Sequence, residues 1–310
     1  MLRQCLLALT VLFAPLCMAG EFDAGRAPFS VHAGSVEIPY RVFGVFVLPG
    51  EELPLSVRDT AGDFRLHAAS GDFHQPARNR WDWIAPSRVG HYPLEIIRGD
   101  GARIRLEVFV MVPSSAVRNG LLNGYRIGHY PRHLLRGMPI YAPPRGFVEV
   151  TPDLEHIPVS PHFTLGQFLC KQAGRYPKYL VLRERLLLKL EILVSHLNGH
   201  GVPTESLYIM SGYRTPWYNA GLGNVRYSRH TWGGAADIFI DDHPADGRMD
   251  DLNHDGRIDV EDARLLASHV DHLFREPPFD FLRGGMSAYP GTPTHGPFVH
   301  VDVRGFRARW

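Results

Sequence analysis

The stretch Ser228-Arg-His-Thr-Trp-Gly-Gly-Ala-Ala-Asp237 is the part of the sequence that most restricts the fold and the function. Together with a later histidine, it offers His230, Asp237 and His300 as three ligands for one divalent metal ion. Two imidazoles and one carboxylate, with a fourth position left to water, form the ligand set of a catalytic zinc site. A structural site would add a fourth protein ligand, usually a cysteine, and no cysteine lies near these segments.

The segments that carry the ligands have the pattern of buried strands. We predict strands at 207–210, 235–240 and 297–303, and a helix from Lys178 to Asn198 with leucines at helical spacing. Residues two apart on a strand face the same way, so Asp302 is expected on the same side as the last metal ligand. The mixture of strands and helices predicts an α+β domain over residues 163–310.

The region before this domain has a different pattern. Between residues 20 and 113, short apolar stretches alternate with turns, which predicts an all-β domain with the architecture of an immunoglobulin-like sandwich. Trp81 and Trp83 are expected in its core rather than stacked on a ligand. Residues 114–162 are interrupted by prolines and predict a linker packed against both domains, or a groove lined by its aromatic residues.

The N-terminus predicts export. Residues 1–19 combine Arg3, an apolar run and a small-residue cleavage site, as in a secretory signal, and a retained membrane anchor is the alternative. Signal removal would leave Cys170 as the one cysteine, expected to be buried rather than reactive, and no membrane-spanning segment. The net charge of +1 at pH 7 gives no support to a nucleic-acid partner.

These motifs resemble those of the M15-type zinc peptidases. Ser211-Gly-Tyr-Arg-Thr, the stretch ending at Asp237, and Phe-Val-His-Val-Asp302 are similar to the family that contains D-alanyl-D-alanine carboxypeptidases and murein endopeptidases of the K type. The resemblance covers residues 163–310. It implies the three zinc ligands above, and it implies that Arg214 and Ser228 lie beside the metal. Arg214 would then bind a peptide carboxylate or the developing oxyanion. Tyr213 is assigned to substrate binding with them.

The general base departs from the family pattern. Many relatives carry His or Glu two or three residues before the second metal-binding histidine, where this chain has Pro297 and Phe298. Neither of these residues can transfer a proton. Asp302 is the first alternative by strand geometry, and His295, on a Gly/Pro-rich loop, is the second.

A calcium loop is predicted inside the second domain, in an insertion at 250–274. Residues 251–262 match the EF-hand spacing, with Gly256 at the sharp turn and an apolar Ile258 after it. An aspartate at the last position resembles the dockerin type of loop, and an acidic, solvated turn is the alternative. The predicted calcium ligands are Asp251, Asn253, Asp255, the Arg257 carbonyl, Asp259 and Asp262.

The expected fold is therefore an α+β zinc peptidase domain preceded by an all-β domain. The expected activity is hydrolysis of peptide cross-links in peptidoglycan, in the periplasm or elsewhere in the cell envelope or outside the cell. The alternatives are a D-alanyl-D-alanine carboxypeptidase and a metal-bearing wall-binding module without turnover. The β-domain is expected to bind the wall or a protein partner, or only to cap the catalytic domain.

Overall fold

The computed structural model describes residues 22–59, 62–275 and 277–310. The predicted export signal at residues 1–19 lies outside these residues. The described part of the chain is rich in β-strand and contains few helices. No helix in these ranges combines the length and the apolar character needed to cross a membrane.

Two sheets make up the N-terminal part of the chain. Strand order is β2-β1-β4-β7-β6 in one sheet and β3-β9-β8-β5 in the other. The rings of Phe29 and Phe64, one from each sheet, lie 4.9 Å apart between centroids, so the sheets pack face to face. Trp81 and Trp83 are buried, which confirms the prediction that they belong to the core. The strands are β1 (Arg26–Ala33), β2 (Val36–Tyr40), β3 (Val42–Val47), β4 (Glu52–Val57), β5 (Phe64–Ala68), β6 (Asp72–Ala77), β7 (Arg80–Ile84), β8 (Gly90–Arg98) and β9 (Arg103–Val110).

The proline-rich middle of the chain contains short strands between its prolines. They are β10 (Val112–Pro113), β11 (Leu121–Leu122), β12 (Tyr125–Arg126), β13 (Gly146–Val150), β14 (Pro158–Ser160), β15 (Phe163–Thr164) and β16 (Lys178–Leu180). β13 pairs antiparallel with β10 on one side and β16 on the other. The Tyr130 hydroxyl donates to the Thr231 carbonyl at 2.8 Å, so this segment also contacts the loop that carries His230.

The long helix α1 runs from Glu184 to Gly199, and its predicted start at Lys178 is wrong. Residues 178–180 form β16 instead. Their apolar pattern suits either structure, and the pairing of Tyr179 with Glu149 satisfies their backbone groups in a sheet. That partner is distant in sequence, so local periodicity does not reveal it. The predicted end of the helix at Asn198-Gly199 is confirmed.

A five-stranded sheet carries the predicted metal ligands. Its order is β17-β18-β20-β19-β21, antiparallel except for the last pair. The three strands predicted at 207–210, 235–240 and 297–303 all form. Helix α3 packs against α1 and against this sheet. The elements are β17 (Tyr208–Ser211), α2 (Pro216–Gly221), β18 (Ala235–Phe239), α3 (Val260–Leu273), β19 (Gly285–Tyr289), β20 (Phe298–Asp302) and β21 (Ala308–Arg309).

Candidate metal centre

Strand register brings two of the three ligands together. β18 and β20 pair so that Asp237 lies directly opposite His300. Residues opposite each other on antiparallel strands have Cβ atoms about 4.5–5.5 Å apart and point to the same face of the sheet. A carboxylate and an imidazole therefore meet on one face because of the backbone pairing.

The third ligand comes from a tight turn held by a glycine. His230 lies in a 3-10 turn that ends at Gly233, whose φ of 62° is in the left-handed region. A Cβ on Gly233 would lie 2.1 Å from the Val181 carbonyl oxygen, so both the conformation and the space require glycine. The Nδ1–H of His230 donates to the Gly212 carbonyl at 2.7 Å, which leaves Nε2 facing the other two ligands.

The three ligand atoms form a small, nearly equilateral triangle. His230 Nε2 lies 3.1 Å from Asp237 Oδ1 and 3.1 Å from His300 Nδ1, and the last two atoms are 2.9 Å apart. Zinc bonds of 2.0–2.1 Å in tetrahedral geometry give ligand–ligand edges of about 3.3 Å. The spacing therefore fits a zinc-sized ion. No other group of three or more His, Cys, Asp or Glu side chains in the described ranges converges within 4.8 Å.

Burial and neighbouring charges favour the metal-binding protonation state of two of the three ligands. Burial lowers the pKa of His230, and Arg214 and His300 lower it further. Burial alone would raise the pKa of Asp237, but the charges and hydrogen bonds of the two histidines hold it well below its usual range. Burial also acts to lower the pKa of His300, but the hydrogen bonds and charges of Asp237 and Asp302 raise it above its usual value. A neutral imidazole and an ionised carboxylate are the forms that a metal requires.

Asp302 lies behind His300 rather than in front of the ligand triangle. Its Oδ2 is 3.4 Å from His300 Nε2, the ring nitrogen that faces away from the other ligands. The carboxylate also accepts bonds from the Gly285 amide at 2.8 Å and from Arg304 Nε at 2.8 Å. Burial opposes ionisation, but hydrogen bonds from His300 and Arg304 hold the pKa of Asp302 far below its usual range.

This placement argues against Asp302, the first choice from strand alternation, as the general base. A base must reach the attacking water, whereas Asp302 is fully buried and its oxygens are occupied. A carboxylate bonded to the outer nitrogen of a metal-binding histidine fixes the orientation of the ring. In this placement the Asp302 carboxylate contacts the outer nitrogen of His300 and restricts the orientation of the ring.

Arg214 binds the free oxygen of the ligand carboxylate. Its Nη2 donates to Asp237 Oδ2, and its Nε donates to Ser211 Oγ at 2.8 Å. The side chain is 13% exposed and lines the cleft above the triangle. Arg214 thus combines the two roles considered from sequence, an ion pair that holds the site and a cation beside the metal position.

The triangle opens into a cleft of about 930 Å³. Ser228 lines this cleft, next to the turn that carries His230. Tyr213 does not line it: the side chain is buried, and its hydroxyl lies 3.1 Å from that of Tyr130 in the middle segment of the chain. The structure therefore brings Ser228, but not Tyr213, to a position where a substrate can contact it.

His295 also lines the cleft. Outside the triangle, it is the one histidine or carboxylate among the described residues that form the cleft wall. Its Nδ1 lies 2.8 Å from the Gly296 carbonyl, and the carbonyl can accept only if Nδ1 carries the proton. In the neutral ring Nε2 is then the free acceptor. His295 thus offers an acceptor nitrogen in the cleft wall, whereas Asp302 does not line the cleft.

Several cleft residues were not predicted. The centroids of the Trp310 and His300 rings lie 5.4 Å apart. The guanidinium carbon of Arg304 lies 4.9 Å from the centroid of the Trp310 ring. Residues at even spacing on a strand face the same side, and Arg304 is four residues after His300. Extending this rule beyond Asp302 would have predicted Arg304 on the side of the metal ligands. Arg229, buried between Tyr141 and Trp232, and exposed Val225 line the wall without any sequence signal that we can identify.

The predicted calcium loop contains carboxylates turned toward its own backbone. Asp251 accepts from the Asp255 and Gly256 amides, and Asp262 accepts from Leu252 and Asn253. Gly256 has φ +84°, as the sharp turn requires.

The helix that follows this loop begins at Val260, and Asp259 caps it by accepting from the Glu261 amide at 2.8 Å. Ile258, expected as an apolar anchor, is 47% exposed. A hydrogen bond from a backbone amide leaves a lone pair free on the accepting carboxylate oxygen, but no three carboxylates of this loop, which the structure describes throughout, converge within 4.8 Å of one another.

Comparison with known proteins gives little beyond this geometry. No family model matches the chain, and no curated protein matches it. One solved structure, domains 4 and 5 of the S-layer protein SbsC, aligns with 12% identity and a TM-score of 0.18. The alignment covers 25% of this chain and 50% of that one. A similarity this low supports no conclusion on fold or function.

Proposed function

We propose that the protein is an exported, zinc-dependent endopeptidase of peptidoglycan, in which residues 163–310 form an M15-type peptidase domain. The observation that carries the proposal is the triangle of His230, Asp237 and His300 at the base of an open cleft. Three ligands leave one coordination position free, which distinguishes a catalytic from a structural zinc site. The resemblance of the surrounding motifs supplies the substrate class.

The chain's own residues suit peptide hydrolysis. Zinc, when bound, polarises a carbonyl and activates water at neutral pH. His230 and His300 keep fixed ring orientations through the Gly212 carbonyl and Asp302. Arg214 presents a positive charge to the oxyanion that develops at the attacked carbonyl. His295 Nε2 accepts the proton from water and returns it to the leaving amine.

The arginines of the cleft favour an endopeptidase over a carboxypeptidase. Arg214 pairs with Asp237, and Arg304 pairs with Asp302. Arg229 donates to the Ile140 carbonyl at 3.0 Å and is 1% exposed. A carboxypeptidase needs a second, accessible cation for the terminal carboxylate of its substrate, besides the Arg214 donor to the oxyanion. Arg304 is paired with a carboxylate, and Arg229, whose Nε and Nη2 have no hydrogen-bond partner among the described residues, is too buried to serve. An endopeptidase has no such requirement.

Digestion of purified sacculi tests the proposal. The zinc-loaded protein is expected to convert cross-linked muropeptide dimers into monomers, measured by chromatography and mass spectrometry of the digest. Asp237→Ala should be inactive, and His67→Ala, which changes an exposed histidine of the N-terminal sheet, should be as active as the wild type.

Other outcomes point to the alternatives. Release of free D-alanine with the dimers intact would replace the endopeptidase with a carboxypeptidase. Binding to sacculi without any change in muropeptides would indicate a binding module. In either case the two-sheet N-terminal region, which we propose to be an immunoglobulin-like sandwich, can be tested for its own affinity for the wall.

Arg214→Ala is expected to lower turnover by about 10²–10³-fold, the usual cost of removing one donor to a developing oxyanion. Zinc content should stay the same, because the three ligands remain. Turnover on a cross-linked muropeptide and zinc per chain are measured together. Arg226→Ala, an exposed arginine that does not line the cleft, is the control. A parallel loss of zinc would show instead that Arg214 serves only to hold Asp237.

We also propose that the 251–262 loop binds calcium. With the affinity of extracellular modules, about 10⁻⁴–10⁻³ M, calcium at about 1 mM should stabilise the fold by about 0.4–1.4 kcal/mol. Asp251→Ala combined with Asp255→Ala should abolish that increase, and Asp72→Ala in the N-terminal sheet should not. Melting curves with calcium and with a chelator that spares zinc provide the measurement. Identical melting curves of the wild type in the two buffers would show that the loop is an acidic turn that does not bind calcium.

A further inference from the structure

Four histidines cluster where α1 and α3 pack together, outside the cleft. His196 and His200 are four residues apart on or just after α1, and His269 and His272 are three apart on α3. Residues at these spacings lie on one face of a helix. Measured between ring centroids, His196 lies 3.8 Å from His200, 5.5 Å from His269 and 6.3 Å from His272.

Two nitrogens of this cluster already have the spacing of metal ligands. His196 Nε2 and His269 Nδ1 are 3.4 Å apart, close to the edge of about 3.3 Å between nitrogens on one tetrahedral ion. Between two neutral rings, this contact is at best one long hydrogen bond. His200 Nδ1 lies 2.8 Å from the His196 carbonyl and must donate to it, which leaves Nε2 of His200 as a free acceptor.

The surroundings favour the neutral form of two of these rings. Burial, together with the charges of the other three histidines, lowers the pKa of His196 to about 4. Burial, with His200 and His272, also lowers the pKa of His269. His200 and His272 are exposed, and the other two are half-buried. The lowered pKa values of His196 and His269 favour the neutral imidazole, which is the form that binds metal.

We infer that His196, His200, His269 and His272 form a second metal site, for a divalent late transition-metal ion such as zinc or copper. Imidazole nitrogens suit these ions, and four of them complete a coordination shell without water. The four rings do not yet converge as closely as the triangle in the cleft, so the exposed rings of His200 and His272 must turn toward His196 and His269. Bound metal would clamp α3 to α1, independently of the proposed peptidase activity.

The test uses untagged, metal-stripped full-length protein and its variants. Equilibrium dialysis against zinc at pH 7 is expected to give about two ions per wild-type chain and about one for His200→Ala/His272→Ala. Those residues are exposed, so the fold should be unaffected. Copper titrated into zinc-loaded protein is followed by electron paramagnetic resonance, where several equivalent nitrogens should appear. His67→Ala/His156→Ala, a pair of exposed histidines outside the cluster, is the control.

Zinc should also raise the melting temperature, and the cluster variant should lose part of this increase while the control keeps it. Equal zinc content and equal melting shifts in the cluster variant and the wild type would overturn the inference. If both the cluster variant and the control lose zinc, the second ion is bound by scattered surface histidines. That result would also overturn the inference. His230→Ala removes the other ion, so a failure of the cleft site cannot be mistaken for a failure of this one.

Discussion

Replacing His230, Asp237 or His300 by alanine is expected to remove most of the zinc bound in the cleft and at least about 10³-fold of the hydrolytic rate. The metal contributes several kcal/mol of transition-state stabilisation, and about 1.4 kcal/mol corresponds to a factor of ten. Two ligands hold zinc far less tightly than three. Zinc analysis of the purified variants and digestion of sacculi give the two measurements.

The Asp237 variant should also have the largest structural effect. Its carboxylate accepts from Arg214, so Asp237→Ala leaves a guanidinium that is only 13% exposed without its charged partner. Asp237→Asn keeps the size of the side chain and part of its hydrogen bonding, and it should lose zinc with less loss of stability. The triple alanine variant must still be compared with one that lacks the four-histidine cluster. If the triple variant retains the zinc that we assign to the cleft, the metal centre is elsewhere.

The sequence predicts the ligands of the candidate site better than the residues around them. His230, Asp237 and His300 follow from residue type and spacing, and the strands that carry them have clear apolar patterns. Pairing between strands that are distant in sequence is not visible locally, so the predicted helix wrongly includes the residues that form β16. For the same reason, the position of Trp310 beside the His300 ring cannot be predicted from the sequence.

Strand geometry alone does not decide the role of Asp302. Strand alternation correctly places it on the side of His300, but it does not say which nitrogen of that ring faces the metal. His300 presents Nδ1 to the ligand triangle, so the residue two positions further on meets Nε2 instead. Tyr213 shows that sequence also fails to give the orientation of a side chain. The motif places this residue near the site, but its side chain points to Tyr130.

His295→Ala is expected to lower turnover by about 10²–10⁴-fold, the usual contribution of a general base in position. His295 is the one histidine or carboxylate among the described cleft-lining residues outside the ligand triangle, and its Nδ1 contact leaves Nε2 free to accept a proton. Zinc content and substrate binding should change little, because His295 is not part of the ligand triangle. The measurement is single-turnover cleavage of a cross-linked muropeptide, with His295→Gln as a variant of similar size that cannot act as a base.

Asp302→Asn should show the opposite pattern, and the contrast decides which residue moves the proton. Loss of an outer partner of a metal-binding histidine typically weakens metal affinity by about 10–100-fold, and saturating zinc should then restore most of the turnover. His295→Ala should not respond to added zinc, because a missing proton acceptor is not replaced by metal. If instead Asp302→Asn stays inactive with zinc fully bound and His295→Ala is active, then Asp302 is the base. The carboxylate would then have to leave Arg304 and His300 during the reaction, a change that a shift in the histidine resonances of the zinc-loaded protein would reveal.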